Sequence, residues 1–180
     1  MTDKEILAII NKVTLRVTGG DVAALNDLKT LPNDFAVPSL LMFFRQNHFV
    51  LHETPQNRAI AAKASQLVLE IPDADVYLKG LFKKQSTADL PGWFLSQRNA
   101  AVACLVQLHN KFAIRAVANS LTDPDVGIDL ATLAGALADM NIPSAPYSKA
   151  TRKQSSSADG IAKWQQWWQE NKAQYTEHAQ

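Results

Sequence analysis

Residues 121–140 read LTDPDVGIDLATLAGALADM, and this stretch decides the fold class. Asp123 and Pro124 mark a turn, because proline fixes φ and aspartate favours turn conformations. One helix is predicted to end at Leu121. A second is predicted to open at Val126, with Leu130, Leu133, Ala134 and Leu137 on one face. Two short amphipathic helices meeting across such a turn are what a stacked helical repeat shows where one unit passes to the next.

The same signals recur on either side. A first helix spans Asp3 to about Val17, with Ile6, Ile10, Val13 and Val17 at helical spacing and Gly19-Gly20 as its stop. Asp21 can cap a second helix that turns Val22, Leu25 and Leu28 inward, and Pro32 ends it. Asn33 or Asp34 can cap a third, with Pro38 in its first turn, Leu41 and Phe44 inward, and an end near Leu51. Thr54-Pro55 is a strong helix start, a capping hydroxyl followed by proline. The stripe Ile60, Ala64, Leu67, Val68, Ile71 follows, and Pro72 breaks it. Asp73 or Asp75 starts a helix holding Val76, Leu78, Leu81 and Phe82. A loop over Gln85–Leu95 precedes helices at about 97–109, 112–121 and 126–140. Residues 143–158, PSAPYSKATRKQSSSA, show no apolar period and read as a linker. The predicted organisation is a helical array over 1–141, a linker over 142–158, and a Trp-rich C-terminal helix within 159–180.

The array has an internal period. Arg58 and Arg98 lie 40 positions apart, and with that offset Ala61 matches Ala101, Ala64 matches Cys104, Val68 matches Leu108 and Leu81 matches Leu121. From Arg98 to Gly127 the offset is 29, and the loop at Gln85–Leu95 accounts for the difference. The unit is near thirty residues, and helix pairs of that size bury their apolar faces only by stacking. On these residues the chain resembles the short HEAT-type repeat family. Leu121, Asp123, Pro124 and Val126 fit the family pattern, Arg58 and Arg98 occupy its arginine position, and Gly127 and Leu130 depart from it. The resemblance covers about 57–141, and residues 3–52 by helix pairing alone. It implies an all-α, α-α superhelix, a HEAT/armadillo-like short solenoid with a C-terminal capping helix. It implies a fold rather than a function.

Bulk composition narrows the function classes. Eighteen basic residues stand against seventeen acidic ones, so nothing global draws the protein to nucleic acid or an anionic membrane. Cys104 is the only cysteine, which excludes an internal disulfide. The N-terminus MTDKEILAIINKV lacks the apolar core of a signal peptide, and the longest apolar runs fall short of a membrane span. A soluble, cytoplasmic protein is expected.

Motifs with chemistry are few. Cys104 and His109 sit about 140° apart on a helix, at about 100° per residue, and cannot pair locally. Cys104 instead joins Ala101, Leu105 and Leu108 on a core stripe. His48 and His52 have the i, i+4 spacing of metal ligands, but no third ligand is evident, so no metal and no cofactor is implied. No phosphate loop or nucleophile elbow appears. Asp73, Asp75, Asp123 and Asp125 sit at helix starts, where capping explains them.

Three surfaces remain. Lys79 and Lys83 share a helix face, and the resemblance implies that they and Arg115 lie on second helices, which line the concave side of such stacks. The bacterial DNA alkylation-repair glycosylases, one HEAT-like group, bind DNA with such a surface. Trp93 and Phe94 fall in the Gln85–Leu95 loop and are candidate partner anchors. Ile161, Trp164 and Trp168 follow one face of the last helix, which predicts that they cover the open end of the stack while Trp167 is more exposed. The expected function is a non-enzymatic, scaffold-type module that presents a concave groove to a protein partner through Lys79, Lys83, Arg115, Trp93 and Phe94. The alternative is nucleic-acid binding through the basic residues, and a small-ligand pocket beside the last helix is a third reading.

Overall fold

Helix α1, Asp3–Thr18, opens on a reciprocal cap. The Thr2 backbone N–H donates to the Glu5 carboxylate at 2.7 Å, and the Glu5 backbone N–H donates back to the Thr2 hydroxyl at 3.4 Å. The computed structural model describes residues 1–84 and 92–175, the side chains of 92–95 excepted. The described residues form an all-α protein without a strand, divided into two units, Met1–Tyr77 and Leu78–Gln180.

The first unit holds α1, a 3-10 segment over Val22–Thr30, α2 over Asn33–His48 and α3 over Pro55–Glu70. Ile6, Val13 and Val17 of α1 are buried, together with Ala24, Leu25 and Leu28 of the 3-10 segment. Asp21 makes no side-chain cap. Its carboxylate instead binds the Arg16 guanidinium at 2.6 Å, and Arg16 also reaches Asp27 at 2.8 Å. The segment after α1 is therefore tied back to α1 by a shared arginine.

Helix α2 also starts differently from expectation. Pro32 is its N-cap residue, and the Asn33 carboxamide donates to the Pro72 carbonyl at 2.7 Å rather than capping its own helix. Pro38 lies inside α2, beyond the first turn, and the helix stops at His48. Helix α3 keeps the Thr54-Pro55 start, and Asn57 completes a capping box with Thr54. Joined by a short link, α2 and α3 pack along one another.

The second unit takes the C-terminal part of α4, Ala74–Phe82, then α5, Gly92–Leu108, α6, Lys111–Leu121, and α7, Leu130–Asp139. The loop predicted over Gln85–Leu95 lies partly outside the described residues, and from Gly92 onward the backbone is helical. Helix α7 begins at Leu130 rather than Val126, with the Asp129 carboxylate accepting from the Thr132 backbone N–H at 3.2 Å. The backbone of 125–127 is committed elsewhere. Lys84 N–H donates to the Asp125 carbonyl at 2.5 Å, and Gly127 N–H donates to the Phe82 carbonyl at 2.8 Å, around an antiparallel Lys83–Val126 bridge. Residues bonded sideways in this way are unavailable to a helical ladder.

The segment expected as a linker is built rather than open. It carries a 3-10 turn at Lys149–Thr151 and a short helix α8 at Arg152–Ser155, and it leads into α9 at Ala158–Asn171. Ser155 is fully buried: its hydroxyl donates to the Ala134 carbonyl at 2.6 Å and accepts the Trp164 indole N–H at 2.8 Å. Arg152 pairs with Asp139 at 2.9 Å. Gly160 leaves room for this crossing, because a Cβ there would run into the Gln154 and Ser155 carbonyls. Helix α9 lies against α6 and α7.

Candidate functional site

Lys79 and Lys83 lie one turn apart at the end of α4, since the Lys83 backbone N–H still bonds the Lys79 carbonyl at 3.2 Å. Both are exposed. The Lys83 ammonium, however, sits 2.7 Å from the Asp123 carboxylate. Hydrogen bonding to Asp123 raises the Lys83 pKa, with Asp125 adding to the field, and the bond to Lys83 together with one from the Asp125 N–H lowers that of Asp123. Arg115, half-buried on α6, lies over the Phe112 ring at 5.8 Å. Trp93 and Phe94 fall in the first turn of α5 by their backbone, rather than on a loop.

Next to Lys83 is a group that sequence reasoning assigned only to a repeat position. Arg98 is 7% exposed, and its guanidinium donates to the carbonyls of Leu81 at 2.5 Å, Lys83 at 2.5 Å and Gly127 at 3.1 Å. Leu81 is in the last turn of α4, where helix carbonyls lack intrahelical partners, and Lys83 directly follows the helix. A Cβ on Gly127 would stand 2.6 Å from the Lys83 carbonyl oxygen and 2.9 Å from the Arg98 guanidinium. Glycine is required there for close approach. Arg58, expected from the sequence to be its repeat equivalent, has a side chain 70% exposed and pairs with Glu53 at 3.1 Å, so the two arginines do different work.

Cys104 is buried and burial pushes its thiol up to about 12, while His109 is exposed and ends α5 at φ 44°. A thiol so shielded is a core group, not a nucleophile. The His48 ring stacks on Phe44, centroids 4.7 Å apart, and meets Phe49 edge-on at 4.8 Å. Among the described residues no three His, Cys, Asp or Glu side chains converge on a metal position, and no helix is long and apolar enough to cross a membrane.

The tryptophans of α9 form a cluster. Trp164, Trp167 and Trp168 are all buried, and Trp167, at 8% against 0% and 3%, is the most exposed of the three as expected, though only slightly. Trp167 meets Trp164 edge-on at 5.4 Å and Tyr175 at 5.8 Å, so aromatic neighbours cover it on two sides. The Trp168 indole donates to Asn119 at 3.1 Å, and Gln165 donates to the Leu121 carbonyl at 3.0 Å, closing the end of α6.

The first unit contains a cleft that the sequence did not announce. It holds about 370 Å³ between the end of α1, the end of α2 and the start of α3. Val17, Phe43 and Ile60 supply its apolar floor, and every other lining side chain is a hydroxyl or a carboxamide. Asn57 donates to Asn47 at 2.8 Å, Asn47 donates to the Phe43 carbonyl at 2.8 Å, and Gln56 donates to the Val17 carbonyl at 3.1 Å. These bonds tie α2 to α3 and α3 to α1. The Gln46 side chain bonds to no other described residue, and Gln56 keeps its carbonyl oxygen unused. Large apolar side chains stand exposed in this same unit: Leu7 and Leu15 on α1, and Phe49 and Leu51, the latter 97% exposed, on the link that joins the α2 and α3 walls. Compared with protein-family models, with curated proteins and with solved structures, the chain matches none.

Proposed function

We propose that this chain is a non-enzymatic interaction module built from HEAT-type helical hairpins, and that its binding face lies on the first unit. One observation carries the choice of face: among the described residues, every large apolar side chain left exposed falls within Met1–Val76. Isolated exposed apolar residues are ordinary. Their segregation to one unit is not, and grouped apolar surface beside polar groups marks binding sites. Leu7 and Leu15 are eight residues apart on α1, about 80° apart around the helix axis, so they share a flank. Leu15 follows the cleft-lining Thr14, and Phe49 and Leu51 sit on the link between the cleft walls. The pairing of Lys83 with Asp123 sets the nucleic-acid alternative second, because a carboxylate beside the ammonium weakens attraction for phosphate.

The test is a photo-crosslinking residue placed at Leu51, with Lys153 as the control position, in cells of the native source. A discrete protein adduct at position 51 that disappears with Leu15→Asp supports the reading. Adducts identical at positions 51 and 153, or unaffected by Leu15→Asp, would remove it.

A further inference from the structure

We infer that the cleft between α1, α2 and α3 takes an extended, uncharged peptide segment of the partner, held through its backbone by the carboxamides of Gln46 and Gln56. This deepens the interaction-module reading and rests on it. The argument begins with charge. No lining side chain is ionisable, and the nearby Arg58 is matched by Glu53 at 3.1 Å. A charged ligand would meet no counter-charge here. A neutral ligand that carries both donors and acceptors loses little, provided that it is bonded on entry.

The lining offers both kinds of group. Gln46 presents a carboxamide with a donor and an acceptor, and bonds to no other described residue. Across the cleft, Gln56 has its N–H₂ fixed on the Val17 carbonyl, so its oxygen is oriented before anything binds. The Asn47–Asn57 bond fixes the walls behind them. A carboxamide that donates and accepts at once matches the N–H and C=O of an extended backbone. A fixed acceptor also removes part of the ordering cost of binding. The volume, about 370 Å³, is at the small end of ligand clefts and suits a few residues of extended chain at about 3.3–3.6 Å each. Leu15, Phe49 and Leu51 do not line the cleft but stand exposed on the α1 and 49–54 segments that border it, and they favour a peptide over a neutral sugar, because a peptide brings apolar side chains to flank its bound backbone and a sugar does not.

The probe is a library of N-acetylated, C-amidated hexapeptides presented to the intact chain, with maltose as the sugar control. The expected result is selection of sequences without charge at the central positions and with apolar residues at the flanks. The Gln46 and Gln56 side-chain amide resonances shift on binding. Gln46→Ala and Gln56→Ala each weaken binding at least tenfold; Gln46→Ala leaves the melting temperature unchanged, whereas Gln56→Ala also removes the bond to the Val17 carbonyl and lowers it slightly. Selection of charged centres, a response to maltose but not to peptides, or full binding by the Gln46→Ala/Gln56→Ala double variant would overturn the proposal. If the crosslink at position 51 still depends on Leu15 while the double variant binds normally, the module reading stands and the cleft assignment falls. If neither experiment responds, both fall.

Discussion

Arg98 is the buried arginine that ties the end of α4 to the 125–127 segment. It supplies three donors to carbonyls from two segments distant in sequence, and a guanidinium fork is the side chain that can do this. Arg98→Met should cost about 2–4 kcal/mol, because the acceptors it serves lose a charged donor and are left poorly paired. Arg98→Lys should recover less than half, since an ammonium is a single point of donation. Urea melts of the three proteins read this directly, and a fully stable lysine variant would contradict it. Ser155 raises a similar question at a smaller scale. Its hydroxyl both donates to Ala134 and accepts from Trp164, so Ser155→Ala leaves the buried indole N–H unpaired, while the Ala134 carbonyl keeps its helical partner, and should cost about 1–3 kcal/mol. In a cycle with Trp164→Phe the two losses should be clearly non-additive, as expected for partners in one hydrogen bond.

At the scale of elements, the region 148–157 and α9 act as one cover over α6 and α7. Deleting the chain from Ser144 onward removes Trp164, Trp167 and Trp168 and uncovers the α7 face at Ala131, Ala134 and Gly135, on which Arg152, Ser155 and Ser156 rest. The truncated protein should aggregate or lose its sharp thermal transition. A monomer with an unchanged melting temperature would show that the cover is dispensable. Within the cover, Trp164→Ala and Trp167→Ala should both cost roughly 3–5 kcal/mol, because both are buried. The junction between α4 and the 125–127 segment has its own pH signature. Lys83 depresses the Asp123 pKa, so the stability this pair contributes is present above the ordinary carboxylate pKa and is lost as pH falls through the depressed value. Lys83 is raised, so its part is lost only as pH rises past that raised value. Thermal melts should therefore separate the wild type from Asp123→Asn at pH 6–7 and bring them together in acid. High salt should narrow the gap, since both groups are partly exposed.

For the whole molecule, the apolar surface is distributed in a way that stability does not require. Leu15→Asp and Leu51→Asp should leave the melting temperature within a degree or two of wild type, because neither side chain has a buried environment to lose. Both should reduce capture of the partner. A large loss of stability in Leu51→Asp would mean that the link between α2 and α3 packs in a way its 97% exposure contradicts.

The sequence by itself determined the all-α class and most of the helix positions. Those signals are local: the Thr54-Pro55 start, the Gly19-Gly20 stop, and apolar side chains recurring at helical spacing. It also marked Cys104 as core, because its neighbours at i−3, i+1 and i+4 are apolar. Tertiary structure alone decided the rest. Val126 reads as a helix start until the 82–84 backbone claims the 125–127 backbone for itself. Residues 148–157 read as an open linker because their order comes from Ser155, Ser156 and Arg152 reaching α7, contacts that leave no apolar period. Trp167 falls off the apolar stripe, yet is buried because aromatic neighbours cover more than one face of α9. The cleft was invisible for the same reason. Its residues are scattered between Thr14 and Ile60, around α1, α2 and α3, and glutamine, asparagine and threonine carry no pattern in sequence until packing turns them toward one space.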